Sequence, residues 1–109
     1  MKYQSFNYTH KSEIEQMLND GYNVSELIIG AINGVDDQQW LEELCIKYIL
    51  NEDFGIARTA IYGVGDIARI YQKLLNFEII KEKFTQIQDQ RLKYVVEDVE
   101  NDFEIFLKE

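Results

Sequence analysis

The sequence predicts an all-α fold made of three antiparallel helical hairpins. Apolar residues recur every three or four positions along nearly the whole chain, which is the period of an amphipathic helix. Short joints separate these stretches, and short joints make antiparallel neighbours. Proline, which breaks helix interiors, is absent from all 109 residues. A chain of this length forms one domain, so we expect residues 1–109 to share a single core.

The first hairpin is predicted over residues 12–34. Its first helix is expected to begin at Ser12, whose following residues have the capping-box pattern, and to stop at Gly21. The second helix is capped by Asn23 or Ser25. The residues before this hairpin show no clear period, and their aromatic side chains form either a short extended arm or a cover over the first helices. The predicted inward residues are Ile14, Met17, Leu18, Leu27, Ile28, Ala31 and Ile32.

The central hairpin spans residues 36–75, with a joint at residues 51–53, and the other hairpins are arranged around it. Its second helix is rich in small residues, which let a neighbouring helix approach closely. Gly63 and Gly65 each weaken that helix by roughly 1 kcal/mol relative to alanine, and we expect it to run through them or bend. The predicted inward residues are Trp40, Leu41, Leu44, Cys45, Tyr48, Ile49, Ala57, Ala60, Ile61, Val64, Ile67, Ala68 and Tyr71.

The third hairpin closes the chain. Asn76 is expected to cap its first helix, and a turn is expected near Gln88 and Asp89. The last helix carries apolar residues at alternating intervals of three and four, which is typical of a helix with one buried face. The predicted inward residues are Phe77, Ile80, Phe84, Ile87, Leu92, Val96, Val99, Phe103 and Phe106.

The central hairpin resembles a HEAT-like helical repeat unit. The resemblance lies in its second helix, where Arg58 is followed by Ala60, Gly63 and Gly65. Arg58 and Arg91 lie 33 residues apart at similar places in their helices, a spacing within the range of helical repeats. This resemblance implies that the three hairpins stack as a fragment of a right-handed α-solenoid.

The charge of the chain is strongly negative and unevenly distributed. The formal net charge is −9. Residues 1–53 hold ten acids and three bases, residues 54–93 four acids and seven bases, and residues 94–109 six acids and one base. Such a field repels phosphate backbones, so direct nucleic-acid binding is disfavoured, and it attracts a basic protein partner. No apolar run is long enough to cross a membrane, and the first residues lack the apolar core of a signal peptide, so we expect a cytoplasmic protein.

Unbalanced acids in the last helix are the most informative polar feature. Acids three and four positions apart repel one another, and retaining them favours a surface that meets a cationic partner, although solubility alone is an equally weighted explanation. A second acidic group precedes and enters the third helix, where Asp36 and Asp37 also suit the helix dipole and where Glu42 and Glu43 follow. Exposed tyrosines are typical of protein interfaces. The predicted partner-binding residues are Glu97, Asp98, Glu100, Glu104, Asp36, Asp37, Tyr62 and Tyr94.

No residue pattern predicts catalysis, a metal site or a cofactor. His10 is the only histidine, and metal sites built on imidazole need more than one. Cys45, the only cysteine, lies on an apolar face and is interpreted as a small buried hydrophobe. The pair Gly63 and Gly65 lies within a helical pattern and lacks the lysine of a phosphate-binding loop, so close helix packing explains it better. We therefore expect a protein without enzymatic activity.

As a whole, the chain resembles small acidic immunity proteins of contact-dependent growth inhibition and related polymorphic toxin systems. The resemblance implies that the partner is a cognate toxin domain, a basic nuclease acting on RNA or tRNA, whose substrate-binding surface the acidic faces cover. An alternative from another class is a small helical scaffold or homo-oligomeric protein-interaction module, such as a homodimer, unrelated to toxins. An enzyme built on HEAT-like repeats, such as a lyase acting on chromophores, is the least favoured hypothesis because no acid–base pair is recognisable.

Overall fold

Six α-helices make up residues 10–107, the part of the chain that the computed structural model describes, and no strand occurs there. They are α1 (Lys11–Asn19), α2 (Val24–Gly34), α3 (Gln38–Tyr48), α4 (Phe54–Tyr71), α5 (Phe77–Thr85) and α6 (Gln90–Phe106). The predicted all-α class is therefore confirmed. The aromatic residues of the predicted N-terminal arm lie outside the described residues.

Acidic and amide side chains fix the beginnings of four helices. Asn23, Asp37, Asp53 and Asp89 each accept a hydrogen bond from a backbone N–H in the following turn, at 2.9–3.1 Å. Each bond satisfies one of the donors that a helix N-terminus leaves unpaired. Of the two caps considered for α2, the structure uses Asn23.

The other two helices begin without a side-chain cap. α1 begins at Lys11, because the carbonyl of His10 already accepts a hydrogen bond from the Ile14 N–H at 3.1 Å. Ser12 therefore lies inside the first turn, and the predicted start at Ser12 with its capping box is wrong. Asn76 occupies the expected N-cap position of α5, but its side chain makes no capping bond.

Helix α4 occupies the centre of the molecule and packs against α2, α3 and α6. It runs unbroken through both of its central glycines. α3 lies antiparallel to it: the Tyr71 hydroxyl, at the end of α4, donates to Asp36, just before α3, over 3.3 Å. Farther along the pair, Cys45 lies against Gly63. The central hairpin is therefore present as predicted.

Helices α2 and α6 run in the same direction as α4. Ser25 at the start of α2 lies beside Gly55 at the start of α4, with 3.5 Å between the serine hydroxyl and the glycine carbonyl. Arg91 at the start of α6 stacks on Phe54, and Val99 in the middle of α6 lies against Gly65. The helices on both sides of α4 thus begin at the same end of the molecule as α4.

Two glycines bring α4 close to its neighbours. A Cβ at Gly63 would lie 2.9 Å from both the Cys45 Sγ and the Ile32 Cδ1, which is closer than real Cβ atoms approach. A Cβ at Gly65 would lie 3.3 Å from Val99 and from the Asp102 carboxylate. The small residues therefore serve close helix packing, as the sequence predicts.

The remaining helices complete one hydrophobic core. α5 contacts α6 through aromatic side chains, since the Phe103 ring lies 5.9 Å from the Phe77 ring and 6.2 Å from the Phe84 ring between centroids. α1 packs against α2, and the Trp40 indole N–H of α3 donates to Glu15 of α1 over 3.1 Å. The buried apolar residues, nearly all on predicted inward faces, are Ile14, Leu27, Ile28, Ala31, Ile32, Val35, Leu41, Leu44, Cys45, Ile49, Ala57, Ala60, Ile61, Val64, Ile67, Ala68, Ile80, Phe84, Ile87, Leu92, Val95, Val99 and Phe103.

Candidate partner-binding surface

The candidate site is the outer face of α6, which we define as Tyr94, Glu97, Asp98, Asn101, Glu104 and Ile105. All six residues are exposed. They point outward because the opposite side of the helix carries the buried stripe of Leu92, Val95, Val99 and Phe103. The same apolar pattern that buries one side of α6 therefore fixes the orientation of its acids.

One edge of this face borders α4. Asp98 accepts a hydrogen bond from the Tyr62 hydroxyl of α4, with 3.2 Å between the oxygens. Tyr94 precedes Asp98 by one helical turn and is 72% exposed, and Ile105 follows two turns later and is 63% exposed. Large apolar surface and acidic charge thus lie together along this edge, which is typical of protein interfaces.

The other edge borders α5. Glu104 lines a shallow groove of about 450 Å³ between the two helices, with Phe77 and Phe103 beneath it. Glu100 lies on the same side and pairs with Lys81 of α5, with 2.6 Å between Nζ and the carboxylate. The prediction that these acids have no balancing lysine is therefore wrong at Glu100, because the structure brings Lys81 of α5 to it. Within residues 10–107, no lysine or arginine pairs with Glu97, Asp98 or Glu104.

Asp36 and Asp37 contribute to a different part of the surface. Asp37 caps α3 and pairs with Lys11 of α1 at 2.8 Å. The hydrogen bond from Lys11 lowers the pKa of Asp37, and the same bond raises the pKa of Lys11. Asp36 accepts from Tyr71, whose pKa is raised first by burial and then by this carboxylate. The structure therefore places these two acids at the start of α3, with partners on α1 and α4, and not beside α6.

Two carboxylates at the contact between α4 and α6 were not among the predicted residues. Asp66 of α4 is half-buried, and burial raises its pKa. The nearby carboxylate of Asp102 raises it further, whereas Arg69, bonded to Asp66 at 2.9 Å, opposes the shift. The spacing contained a signal for both, because Asp66 follows Tyr62 by one turn and Asp102 follows Asp98 by one turn.

Glu42 is a residue whose exposure the sequence predicts wrongly. It was grouped with the exposed acids, but the structure buries it completely. One carboxylate oxygen accepts from Gln38 at 2.8 Å and from the Leu75 N–H at 2.9 Å, and the other accepts from the N–H and side-chain amide of Asn76 at 2.8 and 3.0 Å. Glu42 thus replaces the missing side-chain cap of α5 and binds α3 to the segment between α4 and α5. Its partner Glu43 is exposed, as predicted.

Cys45 is buried beneath Gly63, and burial raises the pKa of its thiol well above the usual range. The side chain is therefore a neutral, packed group, as its apolar surroundings predict. Within residues 10–107, no group of three or more His, Cys, Asp or Glu side chains is arranged to hold a metal ion. No helix in this range has the length and apolar character needed to cross a membrane.

Comparison of the chain with protein-family models, with curated proteins and with solved structures gives no significant match.

Proposed function

We propose that this chain is a non-enzymatic protein-binding module that neutralises a basic partner by covering the partner's anion-binding surface with the outer face of α6. The observation that carries the proposal is the combination of exposed Tyr94 and Ile105 with Glu97 and Asp98, acids that no described base neutralises. Exposed apolar anchors beside unpaired charge are suited to a partner that brings both apolar and cationic side chains.

Under this proposal the partner is a cognate toxin domain of a polymorphic toxin system, a nuclease that holds RNA through lysines and arginines. Carboxylates on α6 form charge-assisted hydrogen bonds with those side chains, so inhibitor and nucleic acid compete for one surface. The inhibitor acts in the cytoplasm, where the substrate of such a nuclease is found. Glu97, Asp98 and Glu104 lie at the centre of the contact.

The other predicted residues have secondary places in this proposal. Glu100, Asp36 and Asp37 already bond to Lys81, Tyr71 and Lys11, so a partner that engages them must first replace those bonds. Tyr62 acts through Asp98, to which its hydroxyl is bonded.

We propose further that the six helices form three stacked HEAT-like hairpins, a fragment of a right-handed α-solenoid. The common direction of α2, α4 and α6 supports this arrangement, since the second helices of stacked hairpins run parallel. Superposition of residues 11–34, 38–71 and 77–106 in an experimental structure tests it. Failure of the three units to superimpose by one repeated rotation contradicts the solenoid.

The experiment for the proposed function is a competition assay with the nuclease domain encoded next to this gene. A triple charge reversal, Glu97→Lys, Asp98→Lys and Glu104→Lys, is expected to weaken the affinity at least about 100-fold, because like charges then face each other across the contact. The matched control reverses the exposed acids Glu13, Glu26 and Glu52, which changes the net charge equally. The affinity of the control variant is expected to fall by less than about fivefold. Equal losses in both variants contradict the assignment to α6.

A second candidate function is a homodimeric scaffold. It is favoured by a separate apolar feature, Leu75 in the turn before α5 and Ile79 in its first turn, which are 49% and 47% exposed. Sedimentation of the wild-type chain and of Ile79→Glu tests this function. A dimer that the substitution abolishes supports the scaffold, and a monomer at all concentrations contradicts it.

A further inference from the structure

The contact between α4 and α6 already binds one guanidinium group between a ring and a carboxylate. Arg91 lies over the Phe54 ring, with 4.1 Å between the guanidinium carbon and the ring centroid. Its Nε and Nη2 donate to the two carboxylate oxygens of Asp89 at 3.1 and 2.8 Å. Attraction to the ring face and charge-assisted hydrogen bonds therefore act on the same group.

Two turns along α6, a second carboxylate, that of Asp98, is bonded to an aromatic residue but to no guanidinium group. Asp98 accepts a hydrogen bond from the Tyr62 hydroxyl through Oδ2, while its Oδ1 accepts none from the described residues. Tyr94, one turn before Asp98, is 72% exposed. An exposed carboxylate is thus bonded to an aromatic residue of α4 and lies one turn from an exposed aromatic residue of its own helix, with acceptor capacity left over.

We propose that Tyr62, Tyr94 and Asp98 form a receptor for an arginine side chain of the basic partner. This inference rests on the proposed function and names the group that the outer face of α6 recognises. Arginine fits because its planar guanidinium can lie on a ring while its edge donates to a carboxylate. The ammonium of lysine is compact and strongly hydrated, and it has no such edge.

The chain's own Arg58 competes for this receptor. Its guanidinium carbon lies 5.0 Å from the centroid of the Tyr62 ring, so it occupies one face of that ring. Arg58 makes no ion pair with Asp98, but it places a positive charge beside the ring whose hydroxyl is bonded to that carboxylate. Removing Arg58 therefore frees the ring and strengthens the field that attracts an incoming arginine. A substitution that tightens binding is a sharp test, because a damaged fold weakens binding.

The test is an NMR titration of the full chain with two blocked peptides, tetra-arginine and tetra-lysine. We expect the arginine peptide to bind at least about threefold more tightly, with its largest shifts at Tyr94 and Asp98. Asp98→Asn and Tyr94→Ala should each remove that preference. The asparagine amide oxygen still accepts from Tyr62, so the contact between the helices persists. Arg58→Ala should tighten arginine binding about threefold.

The matched control is Glu13→Gln, which removes one charge from an exposed position of α1, outside the outer face of α6, and should leave the preference for arginine unchanged. Equal affinities for the two peptides, or no gain in Arg58→Ala, overturn the receptor.

These outcomes are distinguishable from failure of the proposed function. If the nuclease binds the outer face of α6 and Asp98→Asn leaves the affinity for the nuclease unchanged, the arginine receptor is contradicted and the proposed function is retained. If the preference for arginine changes in the variants as predicted but no basic partner is bound, the receptor is retained and the proposed function is contradicted.

Discussion

At the scale of single residues, Glu42 shows how strongly one side chain can organise this fold. A buried carboxylate is unfavourable unless hydrogen bonds replace its lost hydration. Glu42 receives four such bonds, two of them from main-chain N–H groups at the start of α5. Because those donors belong to a segment more than thirty residues away, the bonds tie the start of α5 to α3.

We predict that Glu42→Ala lowers the free energy of unfolding by about 3 kcal/mol. The substitution leaves buried donors without an acceptor and opens a cavity, and each effect costs about 1–3 kcal/mol. Urea denaturation measures the change. The matched control is Glu43→Ala at the adjacent, exposed position, where the change should stay within about 0.5 kcal/mol. Equal effects at the two positions would contradict the assigned role of the buried carboxylate.

The burial of Glu42 was within reach of the sequence, but its bonding partners were not. Gln38, Glu42, Cys45 and Ile49 follow one another at intervals of four, three and four, so Glu42 belongs to the inward stripe of α3. Reading it by charge alone placed it outside. The donors from Leu75 and Asn76 are main-chain groups, which a sequence does not distinguish from any others.

At the scale of helices, the packing of α3 on α4 depends on the missing side chain at Gly63. Two side chains, Cys45 and Ile32, fill the space that a Cβ would need. The interior there is close-packed, so an added methyl group forces a shift of helix or side chain. The glycine thus lowers helix propensity in order to permit close approach.

We predict that Gly63→Ala destabilises the protein by about 1–2 kcal/mol, although alanine favours the helix by about 1 kcal/mol. The reason is the 2.9 Å approach of the new Cβ to Cys45 and Ile32. Gly55→Ala is the matched control, since the nearest atom there is a carboxylate oxygen of Asp53 at 3.3 Å on an exposed turn. It should change stability by less than about 0.5 kcal/mol. A variant at Gly63 more stable than the wild type would show that helix propensity outweighs packing.

The sequence predicted helices and inward faces well because both follow from local spacing. It predicted the outward direction of Glu97, Asp98 and Glu104 for the same reason. It did not predict that Lys81 neutralises Glu100, since this pair depends on how α5 lies along α6. The division of the acids between an edge facing α4 and an edge facing α5 likewise requires the positions of both neighbours.

At the scale of the whole molecule, the net charge of −9 acts both on folding and on association. Repulsion among the acids opposes the compact state, and under the proposed function the same field draws in a basic partner. Part of the repulsion is relieved by ion pairs between helices, such as Lys11 with Asp37 and Lys81 with Glu100. Glu97, Asp98 and Glu104 of α6 have no such pair with a described base.

We predict that salt has opposite effects on these two properties. Raising NaCl from about 20 to about 500 mM should increase the urea midpoint of the free chain, because screening reduces self-repulsion. The same change should slow association with the basic partner at least about tenfold, as measured by stopped-flow mixing. The chain with Glu97, Asp98 and Glu104 reversed to lysine serves as the control and should show a weaker dependence of association on salt. An association rate independent of salt would contradict electrostatic attraction.

The bonds between α3 and the segment before α5 have a consequence for how this protein can diverge. Gln38 donates to the carbonyl of Lys73, and Glu42 accepts from the N–H of Leu75. The side chains of Lys73 and Leu75 therefore take no part in these two hydrogen bonds. Both of those side chains are exposed. The identities of Lys73 and Leu75 can therefore change during evolution, whereas those of Gln38 and Glu42 cannot. A binding surface on the segment before α5 can thus change its side chains while the hydrogen bonds that hold this segment to α3 are kept.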